Sequence, residues 1–490
     1  MSSTFVVALD VGSSSVRALL FDAQARQMDG FGSQISHEVR TTPDGGAEFD
    51  PEALTSILMR CLDELHGQVH SAGLKVAAVG FSAFWHSFCG VDEKGNATVP
   101  ILHLLDTRST SEVALVPDAL QRTGCLPHAS YWPAKLLWLE KNRTREFRAT
   151  RHWLSLPEYF FHKVFGRARA STSMVSATGL WNLAANDYDA ETLRALPITR
   201  DQIADPDSLD EPECDLLPEF RQRWTAFNDI PWYPAIGDGA ANHVGSGCVA
   251  SGQFSLMVGT TGAMRALTRD LKAGIPRGLW CYCVDPGRFL MGGALSSGGN
   301  VFAWLKRTLV LPDEFEAELE KAKPGAHGLT VCPSFAGERS PYWRADLRGA
   351  ITGLSFSTDP FHIAHAALEA VSLRFRAIHR LMTGRLGGPE VIIASGGGLL
   401  RSPGWTQMIA DACGSPALVS SVPEASSRGA AMLALERLGA VSSLAVFSSA
   451  TGGQFTPRRE FEAVYDRLAA EQEDLYNKVT ATGTTALIRD

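Results

Sequence analysis

The chain has 490 residues, and its 45 Lys plus Arg stand against 53 Asp plus Glu for a formal charge of -8. Its 45% hydrophobic and 20% charged residues are ordinary for a globular protein and exclude disorder, collagen and coiled coil as the main state. The acidic balance and the lack of a basic run argue against nucleic acid as a partner. No apolar stretch reaches the ~18 residues of a membrane helix, so no membrane partner is expected. The nine cysteines are dispersed from Cys61 to Cys413 without a C-x-x-C pair, as expected of reduced thiols in a cytoplasmic protein. Residues 1–9 run into an apolar segment with no basic leader, which supports the same location.

In chain order, the apolar run over 5–9 predicts a buried strand that ends at Asp10. Gly12, Ser13, Ser14 and Ser15 predict a tight turn, and 16–21 a second strand that carries Arg17. Glycine permits close backbone approach, and hydroxyls beside free N–H groups make an anion-binding concavity. Asp10 is then placed either to hold Mg2+ through waters or to cap the hairpin. A helix is expected over 51–70, with Ala53, Ile57, Leu58, Leu62 and Leu65 on one face, and a buried strand over 76–81. The charged stretch 205–218 reads as surface connection.

Between Gly237 and Gly239 stands Asp238, where crowding is low and a ligand can approach. Phosphoryl transfer to a hydroxyl needs a base beside the attacking oxygen, and Asp238 suits it; the alternative is a turn residue. Past a break near 245–252 the opening pattern recurs. Phe254 leads an apolar run to Gly259, Thr260, Thr261 and Gly262, then Arg265. The two turns lie half the chain apart, so each half is expected to open with a hairpin, and the pair to grip a polyphosphate across a cleft. Asp359 and Pro360 predict the N-cap and first turn of a long helix towards Met382. A strand over 390–395 ends at Gly396, Gly397 and Gly398, a turn with room for a flat ligand or a phosphate, followed by Arg401, Ser402 and Gln407. The uncharged run 438–455 reads as helix end and loop.

These motifs resemble the FGGY carbohydrate kinase family, of the actin, hexokinase and heat-shock ATPase superfamily. Its most specific piece is Gly349-Ala-Ile351-Thr-Gly353-Leu354, a seven-residue gap, then His362-Ile363 and Ala366-Ala367-Leu368-Glu369. The segment 336–341 resembles the family as well. The resemblance implies an α/β fold of two ribonuclease-H-like (actin/hexokinase-type) domains flanking a catalytic cleft, residues 1–246 and 247–490, closing on ATP, Mg2+ and a sugar. It implies that Gly12, Ser13, Ser14 and Arg17 form the first phosphate motif and that Gly259, Thr260, Thr261 and Gly262 form the second. Gly396, Gly397, Gly398, Arg401 and Ser402 would serve adenosine, Asp238 would be the base, and Asp10 with Asp238 would face the metal. The family is often dimeric, so a homodimer is compatible with it.

For the acceptor, the resemblance points to Ser82, Trp85, His86, Asp106, Arg108 and Asp238. Ser82 to Ser87 and Gly237 to Asn242 are closest to gluconate kinases, so the expected substrate is a sugar acid, D-gluconate. Arg108, Lys135, His86 and His103 are the candidates to meet its carboxylate. A pentulose or other polyol is the alternative substrate, and a sugar-sensing protein on the same fold the non-enzyme alternative. Two positions depart from the family: Leu104 replaces a Trp, and Trp85 replaces a smaller Met. The expectation is that bulk has moved from one pocket wall to the other.

Overall fold

The structure, a computed structural model, describes residues 4–447 and 451–481. Its first half is built on a five-stranded sheet in the order Ile236–Gly237, Val76–Ala83, Phe5–Val11, Ser15–Phe21, Gln27–Ser36. Phe5–Val11 pairs antiparallel with Ser15–Phe21, which sets Asp10 opposite Arg17. It pairs parallel with Val76–Ala83, which sets Asp10 opposite Ser82. The second half holds a seven-stranded sheet: Trp280–Asp285, Arg288–Leu295, Gly262–Thr268, Gln253–Val258, Val391–Ser395, Ala417–Ser420, Thr451–Phe455. There too a hairpin and a third antiparallel strand are extended by two parallel strands. The repeat expected from the two Gly-hydroxyl turns is therefore a repeat of topology, the ribonuclease-H-like order in each half.

Local chemistry explains most elements. Asp50 caps the helix Pro51–Ser71 by accepting from the N–H groups of Glu52 and Ala53. Its buried row is Leu54, Leu58, Leu62, Leu65 and Val69; Ala53 is exposed and Ile57 half-buried, so the inward face is rotated from the one expected. Asp359 caps Pro360–Leu386 as expected, accepting from the His362 N–H. The loop expected over 438–455 is corrected in part. Thr451–Phe455 is an edge strand on Ala417–Ser420, formed by pairing with its neighbour rather than by its weak strand propensity; residues 448–450 lie outside the described ones. A further five-stranded sheet, made of short strands between Arg40 and Leu154, is inserted in the first half.

The helix Ala425–Arg437 returns to the first half. A side-chain carbon at Gly245 would lie 1.7 Å from Ala425 O, one at Gly429 would lie 1.9 Å from Ala241 O, and one at Gly80 would lie 2.5 Å from Ala430 O. Gly245 and Gly429 let the returning helix seat directly on the helix that starts at Asp238, and Gly80 lets it seat on the strand Val76–Ala83. In the second half, Glu369 on the long helix accepts from His327 Nε2 at 2.8 Å, while His327 Nδ1 accepts from the Leu329 N–H at 3.0 Å. Both ring nitrogens are thereby used in tying a loop to the helix. All nine cysteines are free thiols and only Cys214 is exposed. Among the described residues no helix is long and apolar enough to cross a membrane.

Candidate active site

Asp238 is the first residue of the helix Asp238–Gly245, directly after the edge strand Ile236–Gly237. A carboxylate is favoured at a helix N-terminus, and the Gly239 N–H donates to it at 2.7 Å. Enclosure nevertheless raises its carboxyl above the usual range, against the pull of Arg265. The flanking glycines do not leave the open space expected around Asp238. A side-chain carbon at Gly237 would fall 1.8 Å from the Trp85 indole, and one at Gly239 would fall 2.5 Å from it. The ring lies under the Asp238 backbone and donates to Ser173 O at 3.1 Å. Trp85 is thus a floor under Asp238, and Leu104 is half-buried on a separate loop.

Asp10, next to last in the strand Phe5–Val11, is buried beside the first turn, where the Gly12 N–H donates to Ser15 O at 3.0 Å and Ser13 and Ser14 are exposed. Burial pushes the Asp10 carboxyl up to about 7, and the nearby charges of Asp238 and Glu424 add to the rise. Its Oδ1 accepts no hydrogen bond among the described residues. Two buried carboxylates with raised pKa values, one of them with an unused oxygen, suit a divalent cation. Arg17 lies between Asp10 at 3.5 Å and Glu424 at 2.8 Å. Glu424 precedes the returning helix and was not found from sequence.

The residues expected at the nucleotide come together around a cavity of about 470 Å3 lined by Gly259, Thr260, Gly299, Asn300, Gly397, Gly398, Arg401 and Ser402, among others. The second turn closes through Gly259 N–H to Thr261 O at 2.9 Å, and Gly262 begins the returning strand. The helix Gly299–Thr308, which the sequence reading missed, braces it: Gly299 and Asn300 donate to the carbonyls of Gly259 and Thr260 at 2.8 and 3.0 Å. The three successive glycines divide their work. Gly396, at φ +88°, and Gly398 clear the Val258 backbone, and Gly397 faces the exposed Arg401. Ser402 caps the next helix and donates to Glu316 at 2.8 Å. Gln407 is turned to Asp411 and Thr456.

On the acceptor side, His86 has φ +67° and donates from Nδ1 to Ala177 O at 2.7 Å, which leaves Nε2 as an acceptor. Burial lowers its pKa to about 3, so the ring is neutral at pH 7. Ser82 is fully buried one strand from Asp10. Arg108 is bound by Asp106 and Glu48 and stacks on Trp138 at 4.4 Å. Asp106 also accepts from the Ala47 N–H at 3.2 Å. Lys135 donates to His103 O at 2.7 Å, and burial lowers its pKa to about 7. Burial likewise lowers His103 to about 3. Asp106 and Arg108 therefore form a buried ion pair whose charges already meet each other. From the second half, Trp280 and Tyr282 stack at 4.4 Å, and Tyr282 shares a 2.6 Å hydroxyl contact with Tyr131 across the cleft.

This cleft, with a buried carboxylate on one side and a glycine-lined cavity on the other, has known counterparts. Residues 5–245 match the N-terminal domain, and residues 255–436 the C-terminal domain, of the FGGY family of carbohydrate kinases. The chain belongs to that family. The kinase is 26% identical to a gluconokinase of Bacillus subtilis (strain 168) over 478 residues, 92% of this chain and 91% of that one. Its structure superposes on that of a gluconate kinase from Lactobacillus acidophilus with a TM-score of 0.89 at 25% identity, covering 98% of this chain and 99% of that one. A ligand-bound xylulose kinase from the same organism gives the same TM-score, 0.89, at 25% identity and the same 98% and 99% coverage. The kinase therefore acts on a sugar with ATP as its phosphoryl donor.

Proposed function

We propose that the kinase phosphorylates a sugar acid, D-gluconate to 6-phosphogluconate, with Asp238 as general base. The observation that carries the mechanism is the Asp238 carboxylate, fixed at a helix N-terminus over Trp85. Asp238 takes the proton of the acceptor's terminal hydroxyl as its oxygen attacks the γ-phosphorus. The bond from that phosphorus to the β–γ bridging oxygen breaks, and ADP leaves. Residues 1–246 carry the acceptor and the base, and residues 247–490 carry ATP. The turns at Gly12–Ser14 and Gly259–Gly262 hold the phosphates, and Gly397, Gly398 and Arg401 border the adenosine. Asp10, facing Asp238, would hold Mg2+, which neutralises phosphate charge. Neutral His86 reads an acceptor hydroxyl through Nε2.

The likeness to gluconokinases favours the acid, and that to xylulose kinases supports a pentulose as the second reading. ADP release measured across D-gluconate, D-xylulose, L-ribulose, glycerol and erythritol decides between them. Release with gluconate alone is the expected result. Release only with a neutral ketose or polyol would overturn the sugar-acid assignment and leave the kinase mechanism standing.

A further inference from the structure

A carboxylate substrate needs a cation, and the candidates named from sequence do not supply one. Arg108 is compensated by Asp106 and Glu48. Lys135 is held by backbone carbonyls. His86 and His103 are neutral at pH 7. Two guanidinium groups from the second half stand differently. Arg265 is only 7% exposed, yet its Nε and Nη1 have no hydrogen-bond partner among the described residues. A side-chain carbon at Gly239 would lie 3.4 Å from that Nε, so the group crosses the cleft to the residue beside Asp238. Arg339 donates to Leu295 O at 3.0 Å.

The two arginines repel each other, and Asp238 is the acid that draws on Arg265. Tyr131 and Tyr282 bring no offsetting charge, because burial pushes both phenols well above their usual range. A desolvated donor left unpaired is costly, and a desolvated cation more so. An anion placed between these groups would remove that cost. For Arg265 the acceptor is better placed than ATP to bring it, whereas Arg339 reaches Leu295 O, cross-strand from Gly262 of the second turn. Arg265 lies three residues past Gly262 on a strand, roughly 10 Å from the phosphate turn. Arg339 acts electrostatically on His86 and His128, which lie on the acceptor side.

We infer that Arg265 and Arg339 together hold the carboxylate of the acceptor and set the preference for a sugar acid over a neutral polyol. This rests on the sugar-acid reading above. Arg265 and Arg339 are specificity residues here; Arg265 also holds the Asp238 carboxyl down, so its loss is expected to raise the acid limb of the rate as well.

The test compares D-gluconate with D-glucitol, an uncharged chain of the same length, in the wild type and in Arg265→Met and Arg339→Met. Gluconate KM is measured beside the glucitol inhibition constant and the ATP KM. Each substitution is expected to raise gluconate KM by about 100-fold, as loss of charge-assisted hydrogen bonds does, with the glucitol constant and ATP KM near wild type. Lysine variants at both positions, with thermal melts in ATP, keep the test valid should a Met variant fail to fold; they retain charge and should recover part of the gluconate preference. A rise in ATP KM with gluconate KM unchanged would give the pair to the γ-phosphate and overturn the inference. So would equal losses for gluconate and glucitol. A wild type that binds both alike would sink the sugar-acid reading itself, and a wild-type preference untouched by the variants would sink only the arginine assignment.

Discussion

Trp85 and Gly237 occupy one volume: a side-chain carbon on the glycine would come within 1.8 Å of the indole. The residue before Asp238 is therefore small because an aromatic floor lies beneath it. Gly237→Ala should force the ring or the Asp238 backbone to move, at about 1–3 kcal/mol of overpacking. The expected outcome is a lower melting temperature and at least a tenfold loss of kcat, of the order that small misplacements of catalytic groups cause. Trp85→Met in the same chain should restore part of both. Purely additive losses in the double variant would break the link between the two residues.

Thr260 lies at the tip of the second turn, with its carbonyl held by the Asn300 N–H, and lines the glycine-rich cavity. Thr260→Val keeps the shape and removes the hydroxyl. ATP KM should rise more than the acceptor KM in steady-state kinetics. The reverse order would move Thr260 to the acceptor side.

Asp238 and Asp10 both have raised carboxyl pKa values, so protons compete with their work at higher pH than for ordinary carboxylates. A base acts when deprotonated. The rate should therefore fall as pH drops, with an acid limb in kcat/KM above the ordinary value of about 4. Asp10, at about 7 before a cation binds, should make the Mg2+ requirement steeper as pH falls through neutrality. A titration of rate against Mg2+ at several pH values checks this. An apparent Mg2+ affinity that does not weaken from pH 8 to pH 6 would remove Asp10 from the metal site.

Ser402, expected at the nucleotide, lines the glycine-rich cavity while its hydroxyl caps a helix and meets Glu316. Ser402→Ala should cost about 1 kcal/mol of stability, the usual worth of an N-cap. Denaturant unfolding measures that loss. An ATP KM change without a stability change would show instead that Ser402 contacts the nucleotide.

What was legible from sequence was what local chemistry writes. Gly12 and Gly259 each sit in a turn that only a short list of residues can make, so the duplicated hairpins could be read directly. Asp359 and Pro360 announced a helix start because both act within one turn. Asp238 stood out because glycines flank it, although the reason for those glycines, Trp85, lies far away in sequence. What was missed depends on distant partners. Thr451–Phe455 forms only because Ala417–Ser420 offers it an edge. The inserted sheet uses strands as short as Arg40–Thr41, too brief to show a period. Glu424 sits in unremarkable local sequence and Arg265 was read only as the close of the repeated motif; their importance appears once the fold brings Arg17 to one and Asp238 to the other. For Arg108 the presence of a cation was readable, but not the carboxylates that already hold it.

The most direct test of the central claim is single-turnover phosphoryl transfer by Asp238→Asn, with ATP and acceptor binding measured separately by calorimetry. The variant should bind both ligands near wild-type affinity and lose about 10²- to 10⁴-fold in rate, the usual worth of a general base. A near wild-type rate with binding intact would contradict the account and take the proton transfer away from Asp238.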